Sequence, residues 1–242
     1  MKLQTIGSGS IASSYFSACT LVNDEVLIDM PNGIIKYMKK INVEVEKIKY
    51  IFITHFHGDH FDELPFYMIY KFANKCNYET TIYGPKGIKE KVIDLMDLIF
   101  PKAYEDIKYK INIRFVEHNG EEIDLENGIK VKPISVVHED VKPAYGYIVS
   151  DGVHSVGFSG DSMYNESIDE IVKSTEMSFL DTNFPYDGNG AHMGVNDIEK
   201  ICQKYTDKKI VCIHMGDGAR ERALNLDVRN IVVPEDGTVI NL

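Results

Sequence analysis

The sequence has no Cys-x-x-Cys pair, no run of about eighteen apolar residues, no internal repeat and no low-complexity linker. Each absence removes a class of protein. Four cysteines, Cys19, Cys76, Cys202 and Cys212, lie scattered through 242 residues. They fit reduced, mostly buried thiols in a cytoplasmic protein better than a disulfide framework. Without a long apolar run no membrane span is expected. The opening MKLQTIGSGS lacks an apolar core of signal-peptide length, so no export signal is expected either. Basic residues are short as well: 26 Lys and Arg against 37 Asp and Glu give a formal net charge of −11. Such a surface repels polyanions, which weighs against a long nucleic acid as partner. A small anionic substrate stays possible, because bound metal ions can invert the local field.

What is present is an ordinary globular composition, 44% apolar and 26% charged. Short β-rich segments (KLQTI, FSACTLV, EVLIDM) lead to a helical stretch over 33–41, with Asn32 as its cap. IKYIFIT is almost continuously apolar, as a strand covered on both faces should be. A helix over 61–73 follows, with Pro65 confined to its first turn, then TTIYGP as a strand and a second helix carrying Ile88, Val92, Leu95, Met96 and Ile99. The middle is β-rich, with Asp151-Gly152 as a two-residue hairpin signal. Ile198, Ile201, Cys202 and Tyr205 mark an amphipathic helix before the strand KKIVCIH, a helix near 220–226 and a closing hairpin, NIVVPEDGTVINL. Two β-then-α halves without a seam predict a single domain over residues 1–242, an α/β fold with two central sheets and helices outside.

Three of the eight histidines fall within six residues, in IFITHFHGDH. In extended backbone His55 and His57 point the same way and can reach one metal ion. Asp59 and His60 lie where the chain turns into the next helix, facing a second position. Imidazole and carboxylate donors suit Zn, Mn or Fe, and the lack of a nearby cysteine argues against a closed structural zinc site. Three further candidates each follow an apolar strand: His138 after ISVV, Asp161 after VGFSG and His214 after IVCI. Their recurrence at strand ends predicts that all gather at one rim. His118 and His154 lack that context and are expected at the surface. Gly7-Ser8-Gly9-Ser10 is too short for a nucleotide fingerprint and reads as a loop facing the rim. Arg220, Arg222 and Arg229 read as a solvated helix face that could meet a phosphate.

His-x-His-x-Asp-His after a strand, with His138, Asp161 and His214 downstream in that order, resembles the metallo-β-lactamase superfamily. IFITHFHGDH, IYGPKGIKE, FSGDS, AHMG before a helix and IHMGDGARE together look like its ribonuclease Z-like branch. The resemblance implies a four-layer αββα sandwich of two mixed sheets and a pair of divalent ions, zinc first, with manganese or iron accepted. His55, His57 and His138 would hold one ion, Asp59, His60 and His214 the other, and Asp161 would bridge them. Two ions about 3.5–4 Å apart activate a bridging water and clamp both oxygens of an in-line displacement. His192, in DGNGAHMG, matches the branch's extra histidine and would serve the phosphoryl oxygen or the leaving group. Asp181, after another apolar strand, would orient it. Asp59 counts with His192 and Asp181 among the catalytic groups.

The branch's tRNA-gripping arm has no room between His138 and Asp161, where two strands and a tight hairpin use nearly all of the chain. IDMPNG stands where the branch often has a Cys-Gly-Glu-like turn. The expected substrate is therefore a small phosphodiester, such as a cyclic nucleotide, with no long nucleic acid, no membrane partner and a homodimer as the branch's common assembly. The same ligands also serve lactone, thioester or other ester hydrolysis, and a nucleotide sensor without turnover would use the same pocket. A diiron redox role fits less well, because a carboxylate usually stands there where this chain has His57.

Overall fold

The computed structural model describes residues 1–139 and 141–242. Fourteen strands among the described residues form two seven-stranded sheets. In the first half lie β1 (Lys2–Gly7), β2 (Cys19–Val22), β3 (Val26–Ile28), β4 (Tyr50–Phe52), β5 (Thr80–Gly84) and β6 (Ile113–Glu117). In the second lie β7 (Ile123–Asp124), β8 (Lys130–Ser135), β9 (Tyr145–Ser150), β10 (Ser155–Phe158), β11 (Met177–Asp181), β12 (Lys209–Ile213), β13 (Ile231–Val232) and β14 (Val239–Asn241). The helices are α1 (Ile34–Lys40), α2 (Gly58–Phe61), α3 (Leu64–Ala73), α4 (Ile88–Ile99), α5 (Ala103–Ile107), α6 (Glu166–Lys173), α7 (Val195–Lys204) and α8 (Asp217–Leu224).

The first sheet runs β14-β1-β2-β3-β4-β5-β6 and the second β13-β12-β11-β10-β9-β8-β7. Each sheet is antiparallel at one side and parallel at the other: β3 to β6 are parallel neighbours, as are β10 to β13. Strand patterning explains the layers. Tyr50 and Phe52 of β4 face the core between the sheets, whereas Ile51 faces α1 and α3. In β12 Val211 and Ile213 face inward, and Ile210 and Cys212 meet α6 and α7. Both faces are covered, which is why these strands are continuously apolar. The outcome is helix, sheet, sheet, helix, the expected four-layer αββα sandwich.

Several local expectations change. Gly33, at φ 75°, and not Asn32, occupies the N-cap of α1. The expected helix over 61–73 is interrupted after α2 and restarts at Leu64, with Pro65 in the first turn of α3. Pairing of Ser150 with Ser155 makes the Asp151 turn a four-residue loop, in which the Asp151 carboxylate accepts from the amides of Val153 and His154. The closing hairpin does not form. β13 joins the second sheet beside β12, and β14 joins the first beside β1. Pro234 and the turn after it carry the chain from one sheet to the other, because each sheet has an open edge there.

Candidate metal centre

Parallel strands deliver their following residues to one rim, the usual place for a binding site in such sheets. His55 and His57 follow β4, and one turn of helix, α2, presents Asp59 and His60. His138 and Asp161 stand three residues beyond β8 and β10, slightly later than a strict strand-end rule places them. Asp181 is the last residue of β11, and His214 comes directly after β12 in the left-handed region, at φ 53°. For a residue with a Cβ that conformation costs about 1–2 kcal/mol, so the packing around it must enforce it. Gly160 permits the turn before Asp161: its φ is 57°, and a Cβ there would lie 2.7 Å from the Tyr145 carbonyl oxygen.

The rim gathers every expected ligand. His55, His57, His138 and Asp161 offer atoms all within 4.8 Å of one another, as do Asp59, His60 and His214. Asp161 lies at the centre. Its Oδ2 is 3.7 Å from His55 Nε2, 3.3 Å from His60 Nε2 and 3.4 Å from His214 Nε2. His214 Nε2 is also 3.3 Å from Asp59 Oδ2, and His138 Nε2 is 3.1 Å from His57 Nδ1. A third grouping, Asp161, Asp181, His192 and His214, overlaps the others. Within it His192 Nδ1 is 2.9 Å from Asp181 Oδ2, as expected of a histidine oriented by that carboxylate.

The unpaired atoms test whether ions fit. Among the described residues His55 Nε2, His60 Nε2 and Asp161 Oδ1 are buried without a hydrogen-bond partner, although buried polar atoms are normally paired. Both histidine nitrogens face Asp161 Oδ2 within the cluster, and this donor set of imidazole and carboxylate fits Zn, Mn or Fe. The charges agree. Burial and the neighbouring His60 push His55 well below the ordinary imidazole range, leaving a neutral ligand. Burial acts the same way on His60, yet Asp161 and Asp29 outweigh it and hold His60 well above that range. Burial also opposes protonation of His214, but Asp161, Asp181 and Asp59 carry it up to about 10. The buried carboxylates thus favour positive charge at the cluster, which protonated histidines or bound cations can supply.

Sequence reasoning missed Asp29. Its buried carboxylate accepts from the Thr54 amide at 2.8 Å and the Thr54 hydroxyl at 2.9 Å, and pairs with His60 Nδ1 at 2.8 Å. Thr54 Oγ1 in turn meets His55 Nδ1 at 3.0 Å. One carboxylate thus orients two candidate ligands, as outer partners of metal-binding histidines do. Asp29 also follows an apolar strand, β3, so the rule that found Asp161 would have found it. His118 is not at the surface: it is buried, with Nε2 2.9 Å from the Tyr147 hydroxyl, which donates to the Ile53 carbonyl. Burial pushes its pKa down to about 4. Arg220 is buried too, whereas Arg229 is exposed and Arg222 half-buried against Asn196. The Gly7–Ser10 segment does run beside the rim, with Ser10 N donating to the Met215 carbonyl.

Sheet order and metal-rim geometry together define a metallo-β-lactamase fold. The chain superposes on YhfI of Bacillus subtilis, a metallo-beta-lactamase fold protein, with a TM-score of 0.77 and 17% identity over 99% of each chain. Against the short form of human tRNase Z the TM-score is 0.76, with 17% identity over 100% of this chain and 99% of that one. In sequence it is similar to the ribonuclease Z of Pediococcus pentosaceus, 28% identical over 162 residues, covering 64% of this chain and 50% of that protein. The chain spans about half the length of the ribonucleases Z it matches. It belongs, through residues 1–235, to the family described as Anti-Pycsar protein Apyc1. No helix of the described residues is long and apolar enough to cross a membrane.

Proposed function

We propose that the protein is a hydrolase dependent on two divalent ions, cleaving a small phosphodiester. His55, His57 and His138 would hold one ion and Asp59, His60 and His214 the other, with Asp161 shared. Bound there, the ions supply Lewis-acid activation of water and neutralise charge on the phosphoryl oxygens. The side chains do the rest. Asp181 engages His192 Nδ1 and fixes the ring, so that the second nitrogen, Nε2, serves the substrate by donating to a phosphoryl oxygen or to the departing alkoxide. The His192–Asp181 pair, 2.9 Å apart beside the cluster, is the observation that favours phosphoryl over ester chemistry. A small substrate fits the site better than a long nucleic acid. β9, β10 and the loop that joins them take up most of the chain between His138 and Asp161, and the net charge is −11.

Steady-state hydrolysis of bis(p-nitrophenyl) phosphate and of a simple lactone, by zinc- or manganese-loaded protein, tests this reading. Diester cleavage that Asp161→Ala abolishes, with the lactone untouched, is the expected result and leads to a cyclic-nucleotide screen. Lactone turnover with an inert diester replaces phosphoryl by ester chemistry and removes His192 from its role. Two bound ions with neither activity point to a sensor.

A further inference from the structure

Gly7-Ser8-Gly9-Ser10 and the arginine at 220 have no part in that chemistry, yet the fold brings them together behind His214. The left-handed turn at His214 is held on both flanks. Thr182 N donates to the Ile213 carbonyl, and Gly216 N to the Asn183 carbonyl. Between them Met215 N donates to the Ser8 carbonyl at 3.1 Å, and Ser10 N to the Met215 carbonyl at 3.0 Å. The Ser8–Ser10 segment therefore forms a parallel β-bridge, Gly9 to Met215, along the backbone that follows the ligand. Glycine is needed beside it: a Cβ on Gly7 would lie 2.1 Å from the Ser17 carbonyl oxygen, and one on Gly9 2.0 Å from Ser13 Oγ.

Ser8 is itself held from a distant part of the chain. Its amide and hydroxyl both donate to Asp236 Oδ1 at 2.9 Å, and its oxygen accepts from Arg220 Nη2 at 2.5 Å. Asp236 Oδ2 accepts from Phe16 N, closing the loop that begins at Ser8. Arg220 donates from Nη1 to the Pro234 carbonyl at 2.8 Å, and its guanidinium lies 3.7 Å over the Tyr15 ring. Ser8 is 0% and Arg220 6% exposed, so solvent cannot replace the bond between them.

We propose that Ser8, Arg220 and Asp236 are positioning residues which fix the His214 backbone, and through it the strength with which the Asp59, His60 and His214 group holds its ion. The proposal rests on the reading of His214 as a ligand. Zinc titrated into the chelator-stripped full chain against a competing chromogenic chelator gives the number of ions bound and the affinity of each. Asp236→Asn should weaken one ion by up to about 10-fold, the low end of the scale for direct outer partners of a ligand because it acts through Ser8, and leave the other unchanged. Ser8→Ala should move the same ion in the same direction by less. In a His214→Ala background Asp236→Asn should make no further difference, because residues that act through one another are not additive. Circular dichroism establishes that each variant is folded, and Ser8→Ala decides the matter if Asp236→Asn is not. Unchanged affinity for both ions, equal loss of both, or further loss in the His214→Ala background overturns the proposal. His214→Ala that keeps two ions at full affinity instead removes His214 from the ligand set, a separately visible failure.

Discussion

The two sides of the candidate metal centre are built in different ways. On one side four candidate ligands come from a single turn, His55 to His60, and one buried carboxylate, Asp29, braces it. On the other side His138, Asp161, Asp181, His192 and His214 come from five separate segments of the second half, placed by sheet register and by loops such as the one that carries His192. Local assembly concentrates dependence on one brace. Assembly from afar spreads it over many bonds, among them the Ala191 carbonyl at His138 Nδ1 and the backbone contacts that flank His214.

Asp161→Ala tests the joint between the sides, because its carboxylate alone reaches His55, His60 and His214. Diester hydrolysis should fall by about a thousandfold or more, several kcal/mol of lost electrostatic stabilisation, and elemental analysis should find fewer than two ions. His192→Ala strikes the second side without removing a ligand. Turnover should drop roughly a hundredfold with two ions retained, and a lost ion would instead make His192 a ligand. Asp29→Asn strikes the first side only, and chelator competition should show metal affinity weakened by about 10- to 100-fold with His192-dependent steps intact.

The smallest effect lies behind the first side, at Lys71 of α3. It is buried with Nζ donating to the Tyr78 carbonyl and the Thr80 hydroxyl and with no carboxylate partner among the described residues, and burial lowers its pKa from 10.5 to about 8. Below about 8 the lysine is charged whether the chain is folded or not, and above 10.5 it is neutral in both states. Between the two the unfolded chain binds more protons, so folding stability rises with pH. Denaturant midpoints should therefore climb from pH 8 to 10 in the wild type relative to Lys71→Met, and parallel curves would show that Lys71 does not titrate in that window.

The same contrast explains what could be read without coordinates. His-x-His-x-Asp-His was legible because its members are adjacent and share one local geometry. Asp161, Asp181 and His214 were legible through a weaker regularity, a polar residue where an apolar strand ends. Asp29 obeys that regularity but sits before Met-Pro-Asn-Gly, which reads as a turn. His118 precedes Asn-Gly and looked solvated; its amide extends the β5–β6 pairing by bonding the Gly84 carbonyl, which carries the ring inward. Arg220 has a helix-surface pattern, and only Ser8 and Tyr15, two hundred residues earlier, reveal its burial. The final two strands have a hairpin's local pattern, because alternation cannot say which sheet accepts each one.

The division of those two strands between sheets bears on how the protein is made. Ser8 meets Asp236 across 228 positions of sequence, and β1 waits for β14 to cover its edge. Closing contacts that distant is slow compared with forming local ones. A chain emerging from the ribosome shows the His55–His60 turn while the residues that steady the opposite wall are still untranslated. On the two-ion reading proposed above, the His214 side of the rim is braced only once the last strand has joined the first.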